Sequence, residues 1–169
     1  MKITRSRIAY TLIIAMSIMI VVGIILSTVL YYVNRKTSSE NFTVILKEDT
    51  LTAAPFSVAL TGMRPGEPEE YTVLLKAEKE AERKIYMEFR EIENKGLPQF
   101  VEIEIFANGE SVAKMPMEDI FEAEPVCFTC RASMKEPVQI KIVYLMSQDV
   151  GNEAMGTSSK FEIKISSDQ

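Results

Sequence analysis

The chain has 169 residues, with 19 basic and 24 acidic side chains, a net charge of −5, and neither His nor Trp. The lack of His excludes a Ser-His-Asp or Cys-His nucleophile and any catalytic zinc held by His ligands. Residues 41–169 alone carry a net charge of −9, which is poorly suited to binding nucleic-acid phosphates. We expect no nucleic-acid partner, no metal or other cofactor, and no enzymatic activity, and carboxylate-only catalysis is the alternative that these absences leave open.

The first predicted element is a transmembrane helix over Ile8–Val33. This run contains no charged residue and exceeds the roughly 20 residues that a helix needs to cross a bilayer. More basic charge precedes the run than follows it, which favours a cytoplasmic N-terminus at residues 1–7 and an extracellular C-terminal domain. The lipid bilayer is the predicted partner of this segment, and residues 34–41 are interpreted as a polar linker.

The same run can also be interpreted as a cleaved secretory signal. A basic start and an extreme N-terminal position are typical of a signal, although its apolar core is normally only about 7–15 residues long. Tyr31 and Tyr32 resemble an aromatic anchor at the membrane interface more than a cleavage site. We predict a retained signal anchor in a single-pass cell-membrane protein, with secretion after cleavage as the alternative.

Alternation of apolar and polar residues predicts one all-β domain over residues 42–169. A period of two indicates strands that pack on a core from one face. About seven or eight short strands at regular spacing are typical of a β-sandwich. The predicted strands are Phe42–Leu46, Phe56–Leu60, Tyr71–Leu75, Ile85–Ile92, Val101–Ile105, Ser111–Lys114, Val138–Tyr144 and Phe161–Ile165.

Turn chemistry separates these runs. Arg64-Pro65-Gly66-Glu67 indicates a turn before the Tyr71 strand, because Pro and Gly favour turn conformations. Asn108-Gly109 predicts a tight hairpin. Ala77–Arg83 is interpreted as a turn-like connection and Met117–Phe121 as a single helical turn.

The only cysteine pair is Cys127-Phe128-Thr129-Cys130. In an oxidising compartment one interpretation is a structural disulfide between Cys127 and Cys130. A second is a pair of free or core thiols. A third is a redox or metal function, which would call for a βαβ context and a helix N-terminus that lowers the thiol pKa.

The segment Phe42-Thr43-Val44-Ile45-Leu46 is the candidate for an exchangeable edge strand. An edge strand presents a row of open N–H and C=O groups that can pair with another chain. The alternative is that the segment pairs within its own sheet. The acidic clusters are interpreted as solvated surface, because no calcium-loop spacing occurs. They are Glu67, Glu69 and Glu70; Glu78, Glu80 and Glu82; and Glu118, Asp119, Glu122 and Glu124.

Three patches carry a resemblance to a known family. They are Leu60–Glu67 followed by Glu70–Val73; Gly96-Leu97 before Val101–Phe106 and Asn108-Gly109; and Asp149–Gly156 before Phe161-Glu162-Ile163. Together they resemble the TasA/camelysin family of exported bacterial β-sandwich proteins, over roughly residues 42–166. The resemblance implies an immunoglobulin-like or jelly-roll sandwich exported across a Gram-positive-type membrane.

Some relatives in that family assemble into biofilm matrix fibres, in which the N-terminal strand of one subunit completes the sheet of the next. The chain departs from the family pattern at Tyr31–Lys36, which occupies the place of the usual cleavage site. An uncleaved anchor there would prevent release of free fibres. The metalloprotease activity described for camelysin also has no basis here, because no His exists to bind zinc.

These observations predict a cell-surface or extracellular-matrix structural protein that acts by protein–protein contact. Its expected partners are other surface or matrix proteins, or further copies of itself. The alternative function is a membrane-anchored domain that binds a ligand or serves as a sensory accessory to a membrane complex.

Overall fold

A computed structural model describes residues 19, 22, 41–47 and 52–168 of the chain. The chain divides into two compact units, residues 1–38 and 39–169, and nearly all described residues belong to the second. None of the helices in the described part is long and apolar enough to span a bilayer. The predicted transmembrane helix Ile8–Val33 falls outside the described residues, apart from Met19 and Val22.

The second unit is built almost entirely from β-strands. The described strands are β1 Asn41–Leu46, β2 Phe56–Thr61, β3 Pro68–Ala77, β4 Ala81–Asn94, β5 Val101–Ala107, β6 Glu110–Pro116, β7 Val126–Ala132, β8 Val138–Met146 and β9 Ser158–Ser167. The helical elements are a single turn, α1 Met117–Ile120, and the 3-10 turns Pro98–Phe100 and Asn152–Ala154.

The strands form two sheets. One has the order β1-β3-β8-β5-β6 and the other has the order β2-β9-β4-β7. Within the described residues β1 pairs with β3 in parallel, whereas the other strand pairs are antiparallel. The predicted all-β sandwich is therefore confirmed, with nine strands among the described residues rather than seven or eight.

The core lies between the two sheets, where alternate side chains of most described strands are buried. In β8 the buried positions run from Val138 to Met146 in strict alternation. Tyr144 and Phe161 are the largest fully buried side chains, one from each sheet. Each fully buried apolar side chain contributes about 1.5–3 kcal/mol, so the alternation read from the sequence is also the main source of stability.

The sequence predicted eight of the strands and missed β7, Val126–Ala132. The connection assigned to Ala77–Arg83 is shorter than predicted, because β4 already begins at Ala81. The single helical turn at Met117–Phe121 is confirmed by α1.

Both turn predictions are confirmed by backbone geometry. Asn108 and Gly109 have φ angles of 49° and 88°, the left-handed pair that joins β5 and β6 in a tight hairpin. At the other turn, Gly66 has a φ of 75° and the Glu67 amide donates to the Arg64 carbonyl over 3.1 Å. Pro65 followed by a left-handed Gly is typical of a type II turn.

Candidate functional site

The predicted edge strand forms one edge of the five-stranded sheet. β1 is in register with β3 from Asn41 opposite Thr72 to Leu46 opposite Ala77. No described strand lies on its other side. Ile45 points outward and 42% of its surface is exposed. This edge therefore offers open backbone groups and one exposed apolar side chain for pairing with another chain.

The inward side of β1 is part of the core. Val44 and Leu46 are buried, with 6% and 2% of their surface exposed. Half-buried Phe42 stacks on Phe56 of β2 at a centroid distance of 4.5 Å and lies 6.4 Å from the Tyr71 ring. Within the single chain, the segment Phe42–Leu46 thus pairs in its own sheet, and its exchange with another chain stays a prediction.

Two tyrosines of the core, Tyr71 on β3 and Tyr144 on β8, differ in the hydrogen bonding of their hydroxyls. The Tyr71 hydroxyl donates to the Ala59 carbonyl over 3.3 Å. Tyr144 packs edge-on against Tyr71 at 5.7 Å, but its own hydroxyl is buried and has no hydrogen-bond partner among the described residues. Glu69 is the cross-strand partner of Tyr144. Partial burial raises the pKa of the Glu69 carboxyl, and full burial raises the pKa of Tyr144 well above its ordinary value.

The structure separates the two cysteines. Both thiols are free, with Cys127 exposed on the outer face of β7 and Cys130 half-buried. Three steps along a strand cover about 10 Å, beyond the roughly 7 Å Cα separation that a disulfide tolerates. This geometry favours the interpretation of free or core thiols, because the pair lies in an extended strand and not in a turn, and the disulfide stays a prediction. Burial also raises the pKa of the Cys130 thiol, which disfavours the reactive thiolate.

Among the residues that the structure describes, no group of three or more Cys, Asp or Glu side chains has an arrangement that could hold a metal ion. Most of the acidic residues form exposed ion pairs or face solvent. Examples are Lys141 with Glu70 at 2.8 Å and Lys114 with Glu102 at 2.9 Å. Exposed pairs of this kind contribute little stability and keep the outer faces hydrated.

One open cleft of about 640 Å³ lies where β5 begins and its antiparallel neighbour β8 ends. Its floor combines apolar Phe100 and Leu145 with the polar side chains of Gln99, Gln148 and Asp149. Gly66 borders the cleft, and its amide donates to the Met146 carbonyl over 2.9 Å. The mixture of apolar surface and amide or carboxylate groups is of the kind that binds small polar ligands.

A second groove, of about 590 Å³, lies beside the C-terminal half of β4. It joins two segments that are distant in the sequence, β4 and the turn after α1. The groove could not be predicted from the sequence, because no local pattern marks where the strand beside β4 ends. Its lining residues are Glu88, Phe89, Arg90, Glu91, Asn94, Glu118, Phe121 and Glu122.

No protein-family model matches this chain, and no curated protein matches it. Several solved structures resemble its fold. PliG of Aeromonas hydrophila, a periplasmic inhibitor of g-type lysozyme, is 12% identical with a TM-score of 0.39, over 77% of this chain and 99% of PliG. PliG of Salmonella Typhimurium gives 12% identity and a TM-score of 0.40, with the same coverage.

The pre-peptidase C-terminal domain of collagenase from Bacillus anthracis is 8% identical with a TM-score of 0.35, over 75% of this chain and 95% of that domain. These likenesses are too distant in sequence and in superposition to indicate what this chain binds. The features of this chain that bear on function are therefore the edges and grooves of its own sandwich.

Proposed function

We propose that the sandwich is a cell-surface or extracellular-matrix structural domain that contacts other proteins through exchange of β1. The observation that carries the proposal is the position of β1 at a sheet edge, at the N-terminal side of the described domain. Among the described strands β3 alone pairs with it, so β1 can leave without breaking any other strand pair. The gap left beside β3 would accept the same strand from another copy.

The inward side chains of β1 supply the affinity for such an exchange. Val44 and Leu46 fill the core next to β3, and Phe42 covers the opening between the sheets with Phe56. A copy that lost its own β1 would expose these apolar contacts to water, and a donated strand would restore them. The resemblance of residues 42–166 to the TasA/camelysin family supports an exported sandwich of immunoglobulin-like or jelly-roll type with this behaviour.

The proposed location is the outer face of a cell membrane, with Ile8–Val33 as the anchor. An anchored domain could exchange strands only with neighbours on the same surface, whereas a cleaved one could form free fibres. Mass measurement of the protein recovered from cells separates the two. An intact N-terminus in the membrane fraction supports the anchor, and a mass lacking about 30–40 residues in the medium supports release.

Cross-linking tests the exchange of β1 directly. Thr43 and Leu74 are register partners in β1 and β3, and both face away from the core. In the full-length protein, with Cys127 and Cys130 changed to Ser, we would introduce Thr43→Cys and Leu74→Cys and oxidise the thiols on intact cells. Exchange predicts chains joined by disulfides, seen as a ladder on a non-reducing gel.

A matched control uses Thr72→Cys with Lys141→Cys. This pair joins β3 to β8, which are neighbours inside the sheet and would stay together during exchange. Only bridges within one chain are expected from it. If Thr43→Cys with Leu74→Cys also gave bridges only within one chain, β1 would be a permanent part of its own sheet and the proposal would fail.

A second candidate function is ligand binding or sensing as an anchored accessory domain, and the 640 Å³ cleft beside β5 and β8 favours it. Small polar molecules that occupy the cleft would raise the melting temperature of the domain. Leu145→Arg would place a bulky cation in the cleft and abolish that shift. Leu74→Arg on the same sheet, outside the cleft, would leave it unchanged.

A further inference from the structure

β4, a central strand of the four-stranded sheet, is paired over different lengths on its two sides. With β9 it pairs from Ile85 opposite Ser167 to Asn94 opposite Ser159, with a β-bulge between Glu91 and Glu93. On its other side it pairs with β7 only from Ala81 to Met87, where the last register partner is Val126. From Glu88 to Asn94, no described strand lies on that side of β4. On this side the second half of β4 is therefore an open sheet edge, although β4 is an interior strand of the sheet.

The sequence explains why β7 begins so late. Pro125 directly precedes Val126 and has no N–H to donate to a neighbouring strand. The chain before it, from α1 to Glu124, turns aside, and its backbone hydrogen bonds run within the turn from Glu122 and Ala123 to Asp119. No backbone hydrogen bond links that segment to the open half of β4 among the described residues.

The 590 Å³ groove fills the place that a longer β7 would take. One wall is the open half of β4, and the other is α1 together with the turn that follows it. Phe89 and Phe121 form its apolar part, and both pack on Phe161, with centroid distances of 6.4 and 5.7 Å. This aromatic support fixes the base of the groove, so an added strand would meet a preformed surface and little reorganisation would be needed.

The charges of the groove favour a positively charged partner. Its walls carry the carboxylates of Glu88, Glu91, Glu118 and Glu122, against the single cation of Arg90. Glu88 lies 3.9 Å from the Lys164 ammonium. The other three carboxylates form no ion pair with any residue that the structure describes. A segment carrying Lys or Arg would meet unpaired negative charge here, and an acidic segment would be repelled.

We propose that the open half of β4, Glu88–Asn94, binds an extended, Lys- or Arg-rich segment of a partner protein as an added β-strand. The backbone edge would supply main-chain hydrogen bonds, and the carboxylates of the groove would select basic side chains. This surface lies in the four-stranded sheet and does not involve β1. The two proposals can therefore fail independently.

A binding experiment with the full-length protein tests this inference. The probe is a fluorescein-labelled peptide, matched in length to Glu88–Asn94, in which Lys alternates with Val. Fluorescence anisotropy should show saturable binding, and hydrogen exchange should show new protection of amides within Glu88–Asn94. A peptide with Glu in place of Lys should not bind. A Lys peptide that is N-methylated at alternate amides should also lose binding, because it cannot extend the sheet.

The variant E118Q/E122Q removes two charges of the groove without touching the sheet. Since each exposed charge pair contributes little, we expect about a three- to tenfold weaker affinity for the Lys peptide. The matched control E110Q/E136Q removes two exposed carboxylates elsewhere and should bind as the unchanged protein does. Thermal unfolding of both variants checks that the fold is kept.

Three results would overturn the inference. The first is absence of binding by the Lys peptide, and the second is equal binding by the N-methylated peptide, which would reduce the contact to charge alone. The third is protection of Glu88–Asn94 that rises with protein concentration in the absence of peptide. That result would make a second copy of this chain the occupant of the groove.

Discussion

Phe42 of β1 stacks on Phe56 of β2 with ring centroids 4.5 Å apart, so the outermost strand of one sheet touches the outermost strand of the other. This contact between Phe42 and Phe56 closes one side of the sandwich. Tyr71 lies behind it at 6.4 Å from Phe42. The Phe42–Phe56 contact holds β1 against β2, and its strength sets how readily β1 can leave the sheet.

Removing the Phe42 ring should weaken the attachment of β1 and lower the stability of the domain. Phe42→Ala removes a half-buried aromatic ring, and we expect a loss of about 2 kcal/mol in the free energy of unfolding, below the cost at a fully buried site. Urea denaturation measures it. Ile45→Ala is the control in the same strand, because its exposed side chain should change stability by less than about 0.5 kcal/mol. Equal effects of the two substitutions would show that the stacking adds nothing.

Removing the Tyr144 hydroxyl should stabilise the protein. The group is buried without a partner among the described residues, so it carries a desolvation cost that no hydrogen bond offsets. Tyr144→Phe keeps the ring contacts and should raise the free energy of unfolding by about 1 kcal/mol. Tyr71→Phe should have the opposite effect, because it loses the bond to the Ala59 carbonyl. A loss of stability in Tyr144→Phe would reveal an internal hydrogen-bond partner.

Glu69 should make stability depend on pH. Burial raises its pKa above the ordinary value of 4.5, so folding favours the protonated carboxyl. The resulting stabilisation is complete below the ordinary pKa and is lost as the pH rises through the raised pKa of the folded state. Glu69→Gln should therefore melt at a higher temperature than the unchanged protein near pH 7, and the difference should vanish below about pH 4.

The neighbouring residue supplies the control for this titration. Glu70 faces outward and pairs with Lys141 at 2.8 Å. Glu70→Gln removes that ion pair and should not raise the melting temperature at any pH. If Glu69→Gln and Glu70→Gln shifted the melting temperature equally, burial of Glu69 would not be the cause.

The two thiols should react at different rates. Cys127 is exposed, whereas Cys130 is half-buried and its thiol pKa is raised by burial. Alkylation of the folded protein under non-reducing conditions should modify Cys127 first, and both thiols after unfolding. Mass spectrometry of the Cys127→Ser and Cys130→Ser variants assigns each rate. A protein that resists alkylation even when unfolded would contain the disulfide that the strand geometry disfavours.

Gly66 should resist substitution. Its φ of 75° is strained for any residue with a side chain, and a Cβ would lie 2.8 Å from Cγ of Gln148. Gly66→Ala should cost about 1 kcal/mol or more in the free energy of unfolding. Gly62 has a similar φ of 66° but open space around the position, so Gly62→Ala should cost only the strain of placing Ala in a left-handed backbone conformation. A smaller loss at Gly66 than at Gly62 would contradict this reading of the Gln148 contact.

Much of the fold could be predicted from alternation alone. The buried positions of β8 and β9 follow the period-two pattern, and Asn108-Gly109 located the hairpin. The same pattern is present in β7, where Val126, Phe128 and Ala132 are buried. The prediction from the sequence nevertheless lacks this strand.

The remaining features depend on which strands become neighbours. The parallel pairing of β1 with β3, and the end of β7 beside the middle of β4, follow from the packing of the whole chain. Local sequence does not encode strand order, since the contacts that decide it join distant residues. For the same reason the groove could not be foreseen, because Glu88 and Glu118 meet only in the folded chain.

The groove beside β4 has a consequence for solubility. An uncovered sheet edge is a hazard, because two identical edges can join and seed aggregates. When two copies approach through this groove, Glu91 of each would face the carboxylates of the other, and like charges would drive them apart. The carboxylates thus disfavour edge-to-edge association of two copies of this chain.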